Sequence, residues 1–378
     1  MSARATGSRP APSPIVPARL PHARESARGR RRRAASLPPA ERTPRAVILG
    51  LAGAEVTAEE RAFFRAADPY GFILFQRNCV YPAQVMSLTR ALRETVGRAD
   101  APILIDQEGG RVARLRPPHW RHPPPAAAFA ELFARDREAA LEAVRINHEV
   151  IARDLRALGI DVDCAPVLDV PAPGSHEVIG DRAFGREPAQ VAALGRAAAE
   201  GLMAGGVTPV IKHIPGHGRA GVDSHLSLPR VGASRAELEK SDFAPFRVLA
   251  DLPWAMTGHV LYDAIDEAEC ATTSSLVIGE VVRGLIGFQG LLLSDDLAMK
   301  ALGGSFGERA ERALAAGCDI ALHCSGDMGE MKEVVRGARP MTEAALGRAA
   351  RKVAPVDARF DRAGALARLA ALLGRTVA

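Results

Sequence analysis

Residues 290–299 read "GLLLSDDLAM": a glycine, three leucines, a serine and two adjacent acids. A run this apolar suits a strand covered on both faces, as in a parallel sheet. The acids fall where the run stops. Seven other stretches have the same character: "AVILGL" (46–51), "GFILF" (71–75), "PILID" (102–106), "IDVDCAPVLDV" (160–170), "TPVIKH" (208–213), "WAMTGH" (254–259) and "DIALHC" (319–324). The spacing predicts eight buried strands.

Helical patterns lie between them. Residues 129–158 and 188–204 are alanine-rich, with apolar positions near a 3.6 period. Thr57 with Glu60, and Ser234 with Glu237, have the spacing of a capping box, in which each side chain serves a free backbone N–H at a helix start. Eight strand–helix units in about 330 residues argue for a single (β/α)₈ barrel of the α/β class. Periodicity alone leaves a doubly wound sheet open. After the eighth run only helical sequence remains (341–374), with no room for a second large domain.

The chain has 378 residues, 47% hydrophobic and 25% charged, with a net charge of +5. That charge is concentrated in residues 1–45, which hold eleven Arg and two Glu. Taking their +9 from the total leaves the body at about −4. The same segment holds eight of the 27 prolines and no apolar core long enough for a secretory signal. It is expected to be a disordered Arg/Pro-rich extension outside a barrel domain spanning 46–378. Its Arg30–Arg33 run has the chemistry to bind nucleic acid or an anionic surface, but the body gives no reason to expect a nucleic-acid partner. No run of about 18 apolar residues points to a membrane span. Five scattered cysteines (Cys79, Cys164, Cys270, Cys318, Cys324) without a CxxC pair suit reduced thiols in a cytosolic protein, with Cys164 and Cys318 in the core.

Polar residues gather at one end of the runs: Asp106, Lys212 with His213, His259, and Asp295 with Asp296. Barrel active sites lie at the C-terminal ends of the strands. In "ILIDQEGGRVARLR" (103–116), Asp106 can accept from vicinal hydroxyls and Arg114 can donate, unless the segment is a surface turn laced with salt bridges. In "SDD" only one acid can aim at the barrel axis, because successive strand residues face opposite ways. The other must pack behind the strand or cap the next helix. In "IKHIPGHGRAGVDSHLSLP" (211–229), His213, His217 and His225 could be read as metal ligands. HxxxH ligates from a helix, however, and Pro215 with Gly216 breaks one. Asp223 and His225, two apart on an extended loop, would share a side, so the carboxylate could orient the imidazole as a general acid/base. His217 reads as a loop-stabilising hydrogen bond. The glycines of "PGHGRAGV" read as a flexible spacer that lets Asp223 and His225 move.

Together, "KHIPGHGRAGVDSHLSLP", "IDQEGGRVARLR", "APVLDV", "IGDRAFG" (179–185), "MTGHVLYDAID" (256–266) and "LLSDDLAM" resemble, in order, the signature segments of family 3 glycoside hydrolases. Within that family the segments look like those of the single-domain bacterial β-N-acetylglucosaminidases of cell-wall recycling. Ile214 stands where Phe is usual and Ala298 where Ser is common. The resemblance implies a retaining exo-enzyme releasing GlcNAc from 1,6-anhydro-N-acetylmuramic acid fragments, with or without peptide. Asp295 is then the nucleophile, His225 the acid/base and Asp223 its partner. Asp106, Arg114, Arg182, Lys212 and His213 would hold the sugar. No cofactor or metal is implied, and the enzyme is expected to be a cytoplasmic monomer whose partner is its small carbohydrate substrate. A neutral imidazole repels anions less than a carboxylate would, so phosphate could compete with water.

Overall fold

A computed structural model describes residues 43–174, 176–224, 226–350 and 359–376. All eight expected strands form: β1 (Arg45–Leu49), β2 (Pro69–Leu74), β3 (Ile103–Ile105), β4 (Val162–Asp163), β5 (Thr208–Ile214), β6 (Trp254–Thr257), β7 (Leu291–Asp296) and β8 (Ile320–His323). Each pairs in parallel with the next, and β1 pairs with β8 to close the barrel. This removes the doubly wound alternative and leaves no barrel edge unpaired. Residues 1–42, nearly all of the expected extension, lie outside the described residues.

The β4 run is the exception among the eight. Eleven apolar-rich residues yield only a two-residue strand. Beyond it the chain still follows β5: the Val210 amide donates to the Ala165 carbonyl at 3.0 Å and the Leu168 amide to the Lys212 carbonyl at 2.7 Å, with one bridge, Val167 to Lys212. Asp169 follows directly.

Helices pack around the barrel: α1 (Ala58–Ala67), α2 (Pro82–Val96), α3 (Ala126–Phe133), α4 (Arg137–Ala157), α5 (Pro188–Ala204), α6 (Arg235–Lys240) and α7 (Ala244–Val248). A π-type helix (Val277–Leu285) follows, then α8 (Phe306–Ala316), α9 (Met328–Gly337), α10 (Glu343–Ala349) and α11 (Arg362–Leu373). Both expected capping boxes form, at Thr57/Glu60 and Ser234/Glu237. Ser305/Glu308 adds a third, at the start of α8. The helix expected over 129–158 is two. Asp136 accepts the amide of Ala139 at 3.0 Å and so starts α4, separating it from α3. Cys164 and Cys318 are buried in the core. Among the described residues, no helix is long and apolar enough to cross a membrane.

Candidate active site

The C-terminal ends of the strands enclose a cavity of about 290 Å³. This lies at the small end of ligand pockets, roughly 300–1,000 Å³, and suits one sugar ring better than a chain. Its floor is an alternation of opposite charges. Asp106, at the end of β3, accepts from Lys212 Nζ at 2.7 Å and from Arg114 Nη2 at 2.9 Å. Glu108, on the short hairpin that follows (Gln107–Gly109 with Val112–Ala113), accepts both arms of the Arg182 guanidinium at 2.8 Å. Its Oε1 also lies 2.7 Å from Lys212 Nζ. Burial alone would raise both acids, but the cations outweigh it. Asp106 is held below the usual carboxylate range, and Glu108 is drawn down to about 2. Burial likewise works against the Lys212 ammonium, and the two acids more than reverse it. All three stay charged although their side chains are largely buried. The Arg114 guanidinium rests on the Phe75 ring, 4.9 Å from its centroid, which fixes its plane.

Lys212 and His213 end β5 across a cis peptide, and both side chains line the cavity. His213 Nδ1 lies 2.6 Å from Asp169 Oδ2. The other oxygen of Asp169 accepts the backbone amides of His213 (3.2 Å) and His217 (2.7 Å). Burial would raise this carboxyl, yet these partners bring it down to about 2.

Asp295, on β7, is buried beneath the cavity, with 6% of its surface exposed. Burial opposes its charge, but His213, His259, the Asp296 amide and Lys212 overcome this and lower its pKa. Its Oδ1 accepts the amide of Asp296 at 2.8 Å. Among the described residues, Oδ2 takes no hydrogen bond. Asp296 differs. Its Oδ1 accepts the amides of Ala298 and Cys324, both at 3.0 Å, and burial raises its pKa. It ties the β7 and β8 loops together, and no helix begins there for it to cap.

The loop after β5 departs from expectation in two ways. Asp223 lines the cavity, but its carbonyl accepts the amides of Leu226 (2.9 Å) and Ser227 (3.1 Å), so the chain here is a tight turn and not extended. The D-S-H spacing argument therefore loses its geometric premise. His225 itself lies outside the described residues. The spacer glycines also have a different purpose. A Cβ on Gly218 would stand 2.0 Å from the Val170 carbonyl oxygen, and one on Gly216 2.9 Å from Asp242 Cβ. These two glycines allow close packing. Gly221 alone faces open space. His217 does make the expected loop bond, Nε2 to Ser224 Oγ at 3.2 Å. Its Nδ1 is buried with no partner among the described residues, and burial, then His213, push its pKa down to about 4.

Seven of the eight expected site residues thus line one cavity: Asp106, Arg114, Arg182, Lys212, His213, Asp223 and Asp295. Glu108 and Asp169 were missed. Glu108 stands two residues from Asp106, the separation that returns a side chain to the same face of an extended segment. Asp169 ends an apolar run, where a buried acid needs partners. Arg111 follows the salt-bridged-turn reading: it bonds Asp181 at 2.7 Å and the carbonyls of Glu177 and Val178 at 2.8 Å. No group of three or more His, Cys, Asp or Glu suited to a metal occurs among the described residues.

Comparisons with known proteins bear on the family and the fold. A family model described as the glycosyl hydrolase family 3 N-terminal domain matches residues 48–356. A β-hexosaminidase of Alkalilimnicola ehrlichii is 42% identical over 286 residues, covering 74% of this chain and 80% of that one. A β-hexosaminidase of Pseudomonas aeruginosa is 38% identical over 282 residues, covering 74% and 82%. The crystal structure of native NagZ from Neisseria gonorrhoeae superposes with a TM-score of 0.79 at 33% identity, covering 88% of this chain and 98% of that one.

Proposed function

The chain belongs to glycosyl hydrolase family 3 as a β-N-acetylhexosaminidase, and from that premise we propose that it is a retaining exo-β-N-acetylglucosaminidase working through a glycosyl-aspartate. The observation that carries this reading is Asp295: a buried carboxylate, kept ionised, with one oxygen held by a backbone amide and the other without a hydrogen bond among the described residues, beneath a cavity the size of one sugar.

Asp295 attacks the anomeric carbon while His225, oriented by Asp223, protonates the departing oxygen. Water activated by His225 then releases GlcNAc with its configuration retained. Asp106 and Arg114 bind vicinal hydroxyls of the non-reducing sugar. Arg182 and His213 complete the grip, and Lys212 holds Asp106 in place. Every charged group of the floor already faces an opposite charge before substrate arrives, which favours orientation over induced rearrangement. The substrates proposed are GlcNAc-1,6-anhydro-N-acetylmuramic acid fragments, with or without peptide, in cytoplasmic cell-wall recycling.

The test is hydrolysis of chromogenic β-GlcNAc, β-glucose and β-xylose substrates, followed by anhydro-muropeptides. Strong preference for β-GlcNAc is expected, with the β-anomer of the free sugar appearing first by NMR. Preference for glucose or xylose, or first release of the α-anomer, overturns the reading.

A further inference from the structure

Behind Asp295, on the side away from the cavity, lies a chain of hydrogen bonds that the proposed mechanism does not use. The Asp295 amide donates to Thr257 Oγ1 at 3.3 Å, from β7 to the end of the neighbouring strand β6. Thr257 Oγ1 lies 2.8 Å from Thr272 Oγ1, and Thr272 Oγ1 lies 2.7 Å from His259 Nδ1. His259 Nε2 lies 2.9 Å from the carbonyl oxygen of Asp296. Thr257, His259 and Thr272 have no exposed surface.

The protons can be followed along this path. A carbonyl only accepts, so His259 Nε2 carries a hydrogen and donates it to Asp296. A backbone amide only donates, so Thr257 Oγ1 accepts from Asp295. Burial opposes a charge on His259, but Cys270, Asp295 and the Asp296 carbonyl outweigh it and push its pKa up to about 9, so Nδ1 also carries a hydrogen and donates it to Thr272 Oγ1. The single Thr257 proton is then available to Thr272, and that of Thr272 to the Gly258 carbonyl at 3.3 Å. Thr272 is itself held from behind: the Ala271 amide donates to the Val260 carbonyl at 2.8 Å, and the Cys318 thiol approaches the Thr272 carbonyl at 3.7 Å.

The path begins on the peptide plane before Asp295 and ends on the plane after Asp296. The plane between them supplies the amide that holds Asp295 Oδ1. We infer that Thr257, Thr272 and His259 form a buried clamp on the backbone flanking Asp295 and act as positioning residues for its attack. None of the three lines the cavity, so none touches the sugar. The clamp keeps Oδ1 on the Asp296 amide and leaves Oδ2 aimed at the anomeric carbon. A buried network of this kind is rigid only while every member is satisfied, and small errors in the aim of a reacting atom lower rate more than binding. The inference rests on Asp295 being the nucleophile.

The experiment separates the two ideas. The full chain is treated with a 5-fluoro-GlcNAc donor carrying a good leaving group, and the covalent adduct is mapped by peptide mass. An adduct on a residue other than Asp295 overturns the nucleophile reading, whatever the clamp does. With the adduct on Asp295, Thr257→Val and Thr272→Val should label about 10- to 100-fold more slowly, with KM for an aryl GlcNAc changed less than about threefold. Thr257→Ser and Thr272→Ser, which keep the hydroxyls, should recover most of the rate. The rate constant is read only on protein that labels, so an unfolded fraction does not enter it. If the valine variants do not fold, Thr257→Ala and Thr272→Ala take their place with the same expectation. Labelling of the hydroxyl-free variants at the wild-type rate, or a KM rise equal to the rate loss, overturns the clamp.

Discussion

The floor of the cavity and the loop above it are built on opposite principles. The floor joins Asp106, Glu108, Lys212, Arg114 and Arg182 by charged contacts of 2.7 to 2.9 Å, so each acid has two cations and Lys212 has two acids. Among its described residues, the loop from Pro215 to Ser227 has backbone turns, packed glycines and a histidine whose Nδ1 is buried with no partner. Site strength therefore differs by region. The floor is defined before substrate binds. The loop, which carries Asp223 and the proposed acid, is held by backbone turns, close-packed glycines, the His217 amide on Asp169 and the ion pair of Arg219 with Asp242 at 2.7 Å.

The largest effect should come from the floor side. Asp295→Ala removes the attacking oxygen and should cost roughly 10⁴-fold or more in kcat for every leaving group. On the loop side, His225→Ala should cost roughly 10²- to 10⁴-fold for an alkyl or sugar leaving group. It should cost far less for a dinitrophenyl one, which departs without a proton. Measuring both variants with both substrates sharpens the comparison. An equal loss at His225 for the two leaving groups breaks the acid assignment.

Lys212→Met tests the rigidity of the floor. It leaves Asp106 and Glu108 each with one arginine in a buried site, and about 3 kcal/mol of stability should be lost, because breaking a buried pair exposes an uncompensated charge to a low dielectric. Denaturant unfolding measures the loss. A change below about 1 kcal/mol would show the floor to be as loosely held as surface ion pairs are.

Acid should separate the regions more gently. Glu108 and Asp169 are drawn down to about 2 from ordinary values of 4.5 and 3.8. The stability they give is present above those ordinary values and is lost as pH falls towards 2. His217 is lowered to about 4 from 6.5. It is buried neutral, so below pH 6.5 the unfolded chain binds a proton that the folded chain does not, and stability falls from there to about pH 4. Hydrogen exchange should therefore show residues 215–224 losing protection between pH 6.5 and 4 while residues 103–116 keep theirs. The reverse order breaks the comparison.

How much of this was legible in the sequence follows the same divide. Strands and floor residues could be read because a polar group closing an apolar run has few places to go except the barrel mouth. Asp106, Lys212, His213 and Asp295 all followed that rule; His259 did not, and lies buried behind Asp295 on the Asp296 carbonyl. The alternation that places Glu108 beside Asp106 was equally visible in "DQEGG". The loop was less legible because its conformation depends on contacts distant in sequence. Nothing in "PGHGRAGVDSH" announces that Val170 lies against Gly218, or that the Asp223 carbonyl will close a turn. The helix break at Asp136 was missed for a related reason: a single cap interrupted an otherwise continuous helical period.

The smallest expected effect decides what the loop glycines do. If they form a hinge, alanine at any of them should slow turnover. If they allow packing, the outcome should follow the space available. Gly218→Ala would drive a methyl into the Val170 carbonyl, 2.0 Å away, and the loop backbone must shift to accept it. That should cost about 1–3 kcal/mol and lower kcat as Asp223 moves. Gly221→Ala meets nothing within 4 Å. It should change stability by less than about 0.5 kcal/mol, with a slight gain possible from reduced freedom in the unfolded chain, and leave kcat within about twofold. Turnover of the two variants, measured with a substrate that needs protonation, compares the accounts directly. A Gly221→Ala enzyme that binds normally but turns over tenfold more slowly would restore the hinge, because no contact explains such a loss and restricted backbone freedom does.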